Sequence, residues 1–263
     1  MAPHIVFITG GNNGIGYETV KCLLSSSTPY HVLMGSRSSE KGKLAVEKLH
    51  KELPAATNTI EVIQLDLTSD ESITKAFEQV KATHDHVDTL LNNAGASFDI
   101  EYIRNRISLR DTFNRAYDVN VTGANVFTHT FMPLLLKSAD PRLIFVAGLS
   151  HMTEAMAGNY MMPPVPAGWP KNLTFEAIGY RCSKTALHML MLDWHHKLKE
   201  DGVKVWAVQP GFLATDLGGD REVLKQMGAG DPRQGGEVLS SVVAGERDAD
   251  VGKVLTKDGL CQL

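Results

Sequence analysis

The feature that most constrains the fold is a short apolar run that ends in glycines and continues as a helix. Residues 4–9 (His-Ile-Val-Phe-Ile-Thr) are rich in β-branched side chains, which favours a buried parallel strand. Residues 10–16 (Gly-Gly-Asn-Asn-Gly-Ile-Gly) follow, and a helical stretch begins at about Tyr17. Such a turn presents backbone N–H groups and the helix dipole to a phosphate. A plain glycine turn is the alternative, but the position at the first strand-to-helix junction favours dinucleotide binding.

Strand-like and helix-like segments alternate along the rest of the chain. Further strands are predicted at residues 30–35, 59–65, 87–91, 142–146, 203–208 and 252–255, and helices at about 44–53, 73–80, 111–136 and 180–199, with one more before the last strand. No linker or repeat interrupts the pattern. We therefore expect residues 1–263 to form a single doubly wound α/β Rossmann domain, with a parallel seven-stranded sheet and helices on both faces.

Three irregular segments are expected over the active-site end of the sheet. Residues 96–111 are polar. Residues 147–178 form a proline-rich insertion whose methionines and Trp169 suit a malleable wall over an apolar ligand, although loop packing alone explains them equally well. Residues 212–232 are rich in glycine and charge and are predicted to form a lid.

The end of the second strand bears on the type of cofactor. Ser36 and Arg37 stand there, and no acidic residue occupies the strand tip. A carboxylate would bind the adenosine ribose and favour NAD, whereas an arginine beside a small hydroxyl residue suits a 2′-phosphate. A solvated surface arginine is the alternative. We expect NADP(H) as the cofactor.

Other strand ends supply further candidate contacts. Asp66, followed by Leu67, ends the third strand, where a carboxylate can accept from the adenine amino group or cap the next helix. Residues 92–95 (Asn-Asn-Ala-Gly) are small enough to keep the backbone close to a ligand. Pro210 and Gly211 begin another turn after the sixth strand.

Tyr180 and Lys184 are the candidate catalytic pair. Positions i and i+4 share one helix face, so the ammonium can lie beside the phenol. A fixed positive charge lowers the pKa of a phenol and makes it a usable general acid for a carbonyl oxygen. The spacing alone is also that of a half-buried tyrosine beside a solvated lysine, so it gains weight only with the other motifs.

Asn120 interrupts an apolar helical face. It fits a locally bonded or surface asparagine, or a kinked helix turn whose carbonyl holds a water.

Composition excludes several classes of partner. The net charge is −4 with no long run of one sign, which argues against nucleic acid or an anionic membrane as the main partner. No apolar stretch is long enough for a membrane span, and the start lacks a signal-peptide pattern. The three cysteines are widely spaced and suit a reduced cytoplasmic protein without a disulfide framework or zinc site, so we expect no metal.

Taken together, these motifs resemble the short-chain dehydrogenase/reductase family over essentially the whole chain. The resemblance is carried in order by residues 9–16, residues 92–95, Asn120, the Tyr180–Lys184 pair and Pro210-Gly211. Residues 227–232 and 250–254 also resemble fungal members often found among secondary-metabolite enzymes. The cofactor-binding residues that this reading implies are Gly10, Asn13, Gly14, Ile15, Gly16, Arg37, Asp66, Leu67, Asn93, Ala94, Gly95, Tyr180, Lys184, Pro210, Gly211, Leu213 and Thr215.

The resemblance implies a mechanism and a quaternary structure. Tyr180 would donate a proton as hydride reaches the carbonyl carbon, Lys184 would lower its pKa and bind the nicotinamide ribose, and Asn120 would hold a water. Family members are mostly homodimers or homotetramers joined through the two long helices. The apolar residues there that fit subunit contact or core packing are Phe127, Phe131, Leu187, Met191 and Trp194.

One position departs from the family pattern. The serine expected just after the fifth strand falls on Gly148, and the nearest hydroxyl is that of Ser150. Either Ser150 replaces the serine, or a water, a backbone N–H or the substrate does. The leading hypothesis is an NADPH-dependent carbonyl reductase for a fairly apolar small molecule. The alternative is a divergent member that keeps the NADP site but steers a non-redox rearrangement or cyclisation, or serves as a scaffold.

Overall fold

The computed structural model describes residues 2–148, 152, 156–158, 164–171 and 173–261. The strands are β1 His4–Ile8, β2 Tyr30–Ser36, β3 Thr59–Gln64, β4 Thr89–Asn92, β5 Arg142–Val146, β6 Lys204–Gln209, β7 Val254–Thr256 and β8 Gly259–Leu260. The α-helices are α1 Gly14–Leu24, α2 Ser39–Glu52, α3 Asp70–Thr83, α4 Asp99–Ile103, α5 Leu109–Tyr117, α6 Ala124–Leu135, α7 Ile178–Lys197, α8 Arg221–Gln226 and α9 Pro232–Val243.

The strands form one eight-stranded sheet in the order β3-β2-β1-β4-β5-β6-β7-β8. Neighbours from β3 through β7 pair in parallel, which confirms the predicted doubly wound α/β sheet. The eighth strand is an addition to the predicted seven. It is a two-residue hairpin arm antiparallel to β7, too short to leave a periodic pattern in the sequence.

Both faces of the sheet are covered by apolar helix surfaces. Successive residues of β1 point to opposite faces, so Phe7 packs with α3, α6 and α7 while Ile8 packs with α1, α2 and α9. Phe7 meets Phe127 and Phe131 of α6 edge to face, with ring centroids 5.0 and 4.9 Å apart. This core also buries Leu187 and Met191 of α7, so core packing, not subunit contact, accounts for these α6 and α7 residues.

The site lies at the point where the strand order reverses. β1 leads to β2 and β3 on one side, whereas β4 lies on its other side. The crevice between the carboxyl ends of two such strands is where ligands bind in open α/β sheets. The segments after β1 and β4 therefore face each other across that crevice.

Two local differences from prediction concern the helices near this edge. Residues 96–111, expected to be irregular, contain α4 and the start of α5. The long helix predicted at residues 111–136 is divided by a π-helical turn, Asp118–Gly123, which holds Asn120. Within the described ranges, no helix combines the length and apolarity needed to cross a membrane.

Candidate active site

The glycine turn after β1 is tied to the segment that follows β4. Asn93 donates from Nδ2 to the carbonyl oxygens of Thr9 at 2.9 Å and Gly10 at 3.1 Å. The Thr9 hydroxyl oxygen accepts from the backbone N–H groups of Asn93 and Ala94, both at 3.0 Å. A Cβ on Gly16 would lie 2.4 Å from the Gly10 oxygen, so only glycine fits where α1 meets the turn. This close-packed backbone is suited to a pyrophosphate at the helix N-terminus.

A cleft runs along the carboxyl edge beside this turn. The predicted cofactor residues that line its first part are Gly10, Asn13, Gly14, Ile15, Asn93, Ala94, Gly95, Tyr180, Lys184 and Thr215. The second part shares Tyr180 and Lys184 and is also lined by Pro210, Gly211 and Leu213. The structure thus brings together in one cleft residues that are far apart in the sequence.

Other predicted cofactor residues are not among those that line the cleft. Gly16 packs beneath the turn, and the Leu67 side chain is buried in the core, which leaves only its backbone near the edge. Asp66 accepts at Oδ1 from the backbone N–H and hydroxyl of Thr68, at 3.0 and 2.8 Å. Its carboxylate therefore closes the turn before α3. This role is close to the predicted alternative, in which Asp66 caps that helix.

The end of β2 carries Arg37 as an exposed side chain on the same edge as the glycine turn. The neighbouring Ser36 hydroxyl was expected to suit a 2′-phosphate together with Arg37. Ser36 is instead buried, and its hydroxyl donates to the Ser38 carbonyl at 2.8 Å. Sequence reasoning missed Lys41, which lines a hollow with Asn13 and Gly14. The sequence feature that could have indicated Lys41 is its position as a second basic residue, shortly after Arg37, in the first turn of α2.

Asn120 is fully buried in the π-helical turn and links two segments of the site. Its Oδ1 accepts from the Ala96 N–H at 2.8 Å, and its Nδ2 donates to the Ala96 carbonyl at 2.9 Å and to the Ser183 hydroxyl at 2.8 Å. The side chain therefore fixes the loop after β4 against α7. π-Turns inside α-helices are frequent at functional sites.

The start of α7 is anchored by a carboxylate that the sequence did not reveal. Asp99 is 1% exposed and accepts from the N–H groups of Gly179 at 2.8 Å and Tyr180 at 3.1 Å. A negative charge at a helix N-terminus satisfies unpaired donors and complements the helix dipole. Asp99 thus positions the helix turn that carries Tyr180.

Burial dominates the electrostatics of Tyr180 and Lys184. It raises the pKa of the Tyr180 phenol to about 12 and lowers the pKa of the Lys184 ammonium to about 8. Lys184 donates to the Val146 carbonyl at 2.7 Å, and its Nζ lies 5.8 Å from the centroid of the Tyr180 ring. Burial, and not the expected effect of the Lys184 charge, therefore sets the direction of the Tyr180 pKa shift.

Gly148 lines the cleft beside these two residues. A Cβ built on it would have the Lys184 Cβ as its nearest neighbour, at 3.8 Å, so a side chain fits there. Ser150, the alternative hydroxyl, lies outside the described residues.

The second part of the cleft is mostly apolar. Its walls include Ile100, Phe175, Phe212, Leu217 and Leu224, and it encloses about 1150 Å³, including the part open to solvent. Trp169, proposed as a wall residue, is instead 87% exposed on the surface. Phe175, closer to α7, fills the role that the sequence suggested for Trp169.

Comparison with known proteins gives one consistent family. The model of the short chain dehydrogenase family matches residues 4–161 and 168–224. Short-chain dehydrogenase/reductase tropE of Talaromyces stipitatus is 47% identical over 262 residues, which cover 98% of this chain and 96% of that protein. Short-chain dehydrogenase/reductase eupG of a Phoma species is 41% identical over 256 residues, covering 93% and 91%.

Solved structures share the fold at lower identity. A carbonyl reductase from chicken fatty liver with bound NADPH has a TM-score of 0.78 at 23% identity and covers 100% of this chain and 99% of its own. A 3-oxoacyl-[acyl-carrier protein] reductase from Brucella melitensis in complex with NAD has a TM-score of 0.75 at 17% identity, covering 98% and 96%. The family match and the two fungal relatives establish that the chain belongs to the short-chain dehydrogenase/reductase family of oxidoreductases, whose fold binds a nicotinamide cofactor.

Proposed function

We propose that the protein is an NADPH-dependent reductase that transfers hydride to the carbonyl carbon of a fairly apolar small molecule. The observation that carries the proposal is one shared cleft. Tyr180 and Lys184 line it together with the glycine turn that suits a pyrophosphate and with the apolar walls that suit a substrate.

In this mechanism a bound NADPH would supply the hydride. The Tyr180 hydroxyl donates its proton to the substrate oxygen and becomes a phenolate. The Lys184 ammonium lies on the same helix face and stabilises that phenolate. With a pKa of about 12, the Tyr180 phenol is protonated at neutral pH, as a proton donor must be, and it relies on the Lys184 charge to favour the phenolate as the proton leaves.

The segment 212–232 contributes apolar side chains that fit an apolar substrate, and we propose that it forms a lid. Phe212, Leu217 and Leu224 come from it and face the cleft. Its base is closed by the pairing of Leu213 with Gly230, so the intervening residues can move as one loop over the substrate.

Arg37 is proposed as a ligand of the cofactor 2′-phosphate. Arg37→Ala should raise the Kd for NADPH about 10- to 100-fold, because a charge-assisted hydrogen bond is lost, and should leave the Kd for NADH nearly unchanged. Fluorescence titration of both cofactors measures this. Arg115→Ala, which removes another exposed arginine from α5, is the matched control. An unchanged NADPH Kd in Arg37→Ala would remove the arginine from the phosphate site, and Lys41 would be tested next.

The glycine at position 148 favours a second candidate function, namely a non-redox rearrangement or a scaffold on a retained NADP site. An oriented hydroxyl at the substrate oxygen contributes roughly a hundredfold or more to the rate of a reductase. A chain without it depends more heavily on Tyr180. Product formation without loss of NADPH would favour this second function.

Gly148→Ser tests whether a missing hydroxyl limits the reductase. The site has room for the side chain, so kcat for reduction of a simple ketone should rise about tenfold, with little change in NADPH affinity. Gly148→Ala adds the same Cβ without the hydroxyl and should leave kcat unchanged. Equal rates in the two variants would mean that another donor already occupies this role.

We also propose that the protein forms a homodimer or homotetramer through the long helices. Met189 and Leu192 of α7 are 67% and 40% exposed, and Leu136 at the end of α6 is 44% exposed. These residues, unlike Phe127 and Phe131, lie on the surface where a second copy can cover them. Sedimentation velocity measures the state directly.

A further inference from the structure

Two imidazoles and one carboxylate converge at the edge of the sheet, away from the cleft. They belong to His31 on β2, Glu61 on the outermost strand β3, and His84, which directly follows α3. One candidate ligand atom from each residue lies within 4.8 Å of the other two. His31 is near the start of β2, and Arg37 follows its end, so the cluster lies roughly 20 Å along the strand from the cofactor edge.

The facing atoms of the cluster lack ordinary partners. The Nε2 atoms of His31 and His84 are buried and have no hydrogen-bond partner among the described residues. They lie 4.0 and 3.7 Å from Oε2 of Glu61, beyond hydrogen-bond distance. Buried ring nitrogens without a partner are costly, so two of them facing one carboxylate oxygen call for an explanation.

Protonated imidazoles paired with Glu61 are one explanation, and the surroundings of His31 weigh against it. Burial lowers the His31 pKa, and the neighbouring His84 lowers it further, while Glu61 acts in the opposite direction. Burial therefore favours the neutral form of the His31 ring. A neutral imidazole offers a lone pair, which is what a metal ion requires.

Neighbouring side chains orient the potential ligand atoms. Nδ1 of His31 lies 2.7 Å from the Thr59 hydroxyl, so a proton held there leaves the lone pair on Nε2. Gln79 donates from Nε2 to Oε1 of Glu61 at 3.0 Å, which leaves Oε2 directed at the imidazoles. Outer contacts of this kind fix the tautomer and rotation of metal ligands.

We propose that His31, Glu61 and His84 bind a Zn²⁺ ion through Nε2, Oε2 and Nε2, with water as the fourth ligand. Two neutral imidazoles and one carboxylate are a common ligand set for zinc. Tetrahedral zinc with bonds of about 2.0–2.1 Å holds its ligand atoms about 3.3–3.4 Å apart. The candidate ligand atoms are at most 4.8 Å apart, so side-chain rotations that move each atom by about 1 Å or less would reach that value.

The site would stabilise the fold and stand apart from catalysis. Its ligands come from β2, β3 and the end of α3, so the ion joins an edge strand to its neighbour and to the helix that covers it. A ligand that binds only the folded state raises stability by mass action.

The test uses the full chain freed of metal with EDTA and then dialysed. Calorimetric titration with ZnCl₂ should give one ion per chain. Zinc at about a hundredfold excess over its Kd should raise Tm by about 5 °C. His31→Gln, Glu61→Gln and His84→Gln should each weaken zinc binding at least about tenfold and remove the Tm rise. His50→Gln, at an exposed position on α2, should behave as the wild type.

Circular dichroism in EDTA confirms that each variant is folded before titration, and Glu61→Gln is the variant least able to disturb packing. The proposal is overturned if the wild type takes up no stoichiometric zinc. It is equally overturned if the three ligand variants bind zinc as tightly as His50→Gln does, because binding would then lie elsewhere on the chain.

Discussion

Tyr180→Phe is expected to lower kcat for carbonyl reduction about 100- to 10,000-fold while leaving the Kd for NADPH nearly unchanged. The substitution removes only the hydroxyl that donates the proton. Asp99 still binds the N–H groups that start α7, so the ring keeps its place in the cleft. Steady-state kinetics with NADPH, combined with a cofactor titration, separates loss of chemistry from loss of binding.

The matched control is Tyr102→Phe, which removes a phenol hydroxyl from α4 at the same edge of the sheet and should leave kcat unchanged. A Tyr180→Phe protein that reduces its substrate at the wild-type rate would remove Tyr180 as the acid. Parallel loss of NADPH binding and activity would instead mean that the hydroxyl acts on the cofactor.

Lys184→Met is expected to abolish most activity and yet stabilise the cofactor-free protein. Lys184 is 3% exposed, and burial lowers the pKa of its ammonium from 10.5 to about 8. Holding the ammonium charged at pH 7 therefore costs about 3 kcal/mol of folding stability, and Lys184→Met removes this cost. The substitution also leaves the Val146 carbonyl without its hydrogen-bond donor, which offsets the gain by roughly 1 kcal/mol. The net effect corresponds to a Tm about 5 °C higher, measurable by calorimetry.

The pH dependence gives the same prediction a second readout. Because the folded-state pKa is lowered, the unfolded chain binds the Lys184 proton more tightly, and wild-type stability should rise between about pH 8 and pH 10.5. Lys184→Met should lack this rise. In the wild type, kcat/KM for reduction should fall above about pH 8, where Lys184 of the free enzyme loses the charge that stabilises the phenolate. A lower Tm in Lys184→Met would contradict the account of a strained, functional lysine.

Local patterns were sufficient for much of the fold. The glycine turn, the strand β5 at Arg142–Val146 and the alternation of elements follow from periodicity and composition over short windows. Asn120 was recognisable as an interruption in an apolar helix, and the interruption is a π-turn.

Contacts between residues distant in sequence were not predictable in this way. Asp99 reads as one more polar residue in a polar stretch, and its role appears only when the fold brings it to Gly179. His31, Glu61 and His84 come from different elements and form no motif. The Tyr180 pKa depends on burial, which the four-residue spacing to Lys184 does not encode.

The most direct test of the central claim is a single-turnover experiment with excess protein. NADPH is mixed with a panel of apolar cyclic and aromatic ketones and aldehydes, and absorbance is followed at the nicotinamide band. The account predicts that at least one carbonyl compound is reduced with one NADPH consumed per alcohol formed, and that Tyr180→Phe suppresses this consumption at least about a hundredfold. Product formed without consumption of NADPH, or equal consumption by Tyr180→Phe, would contradict it.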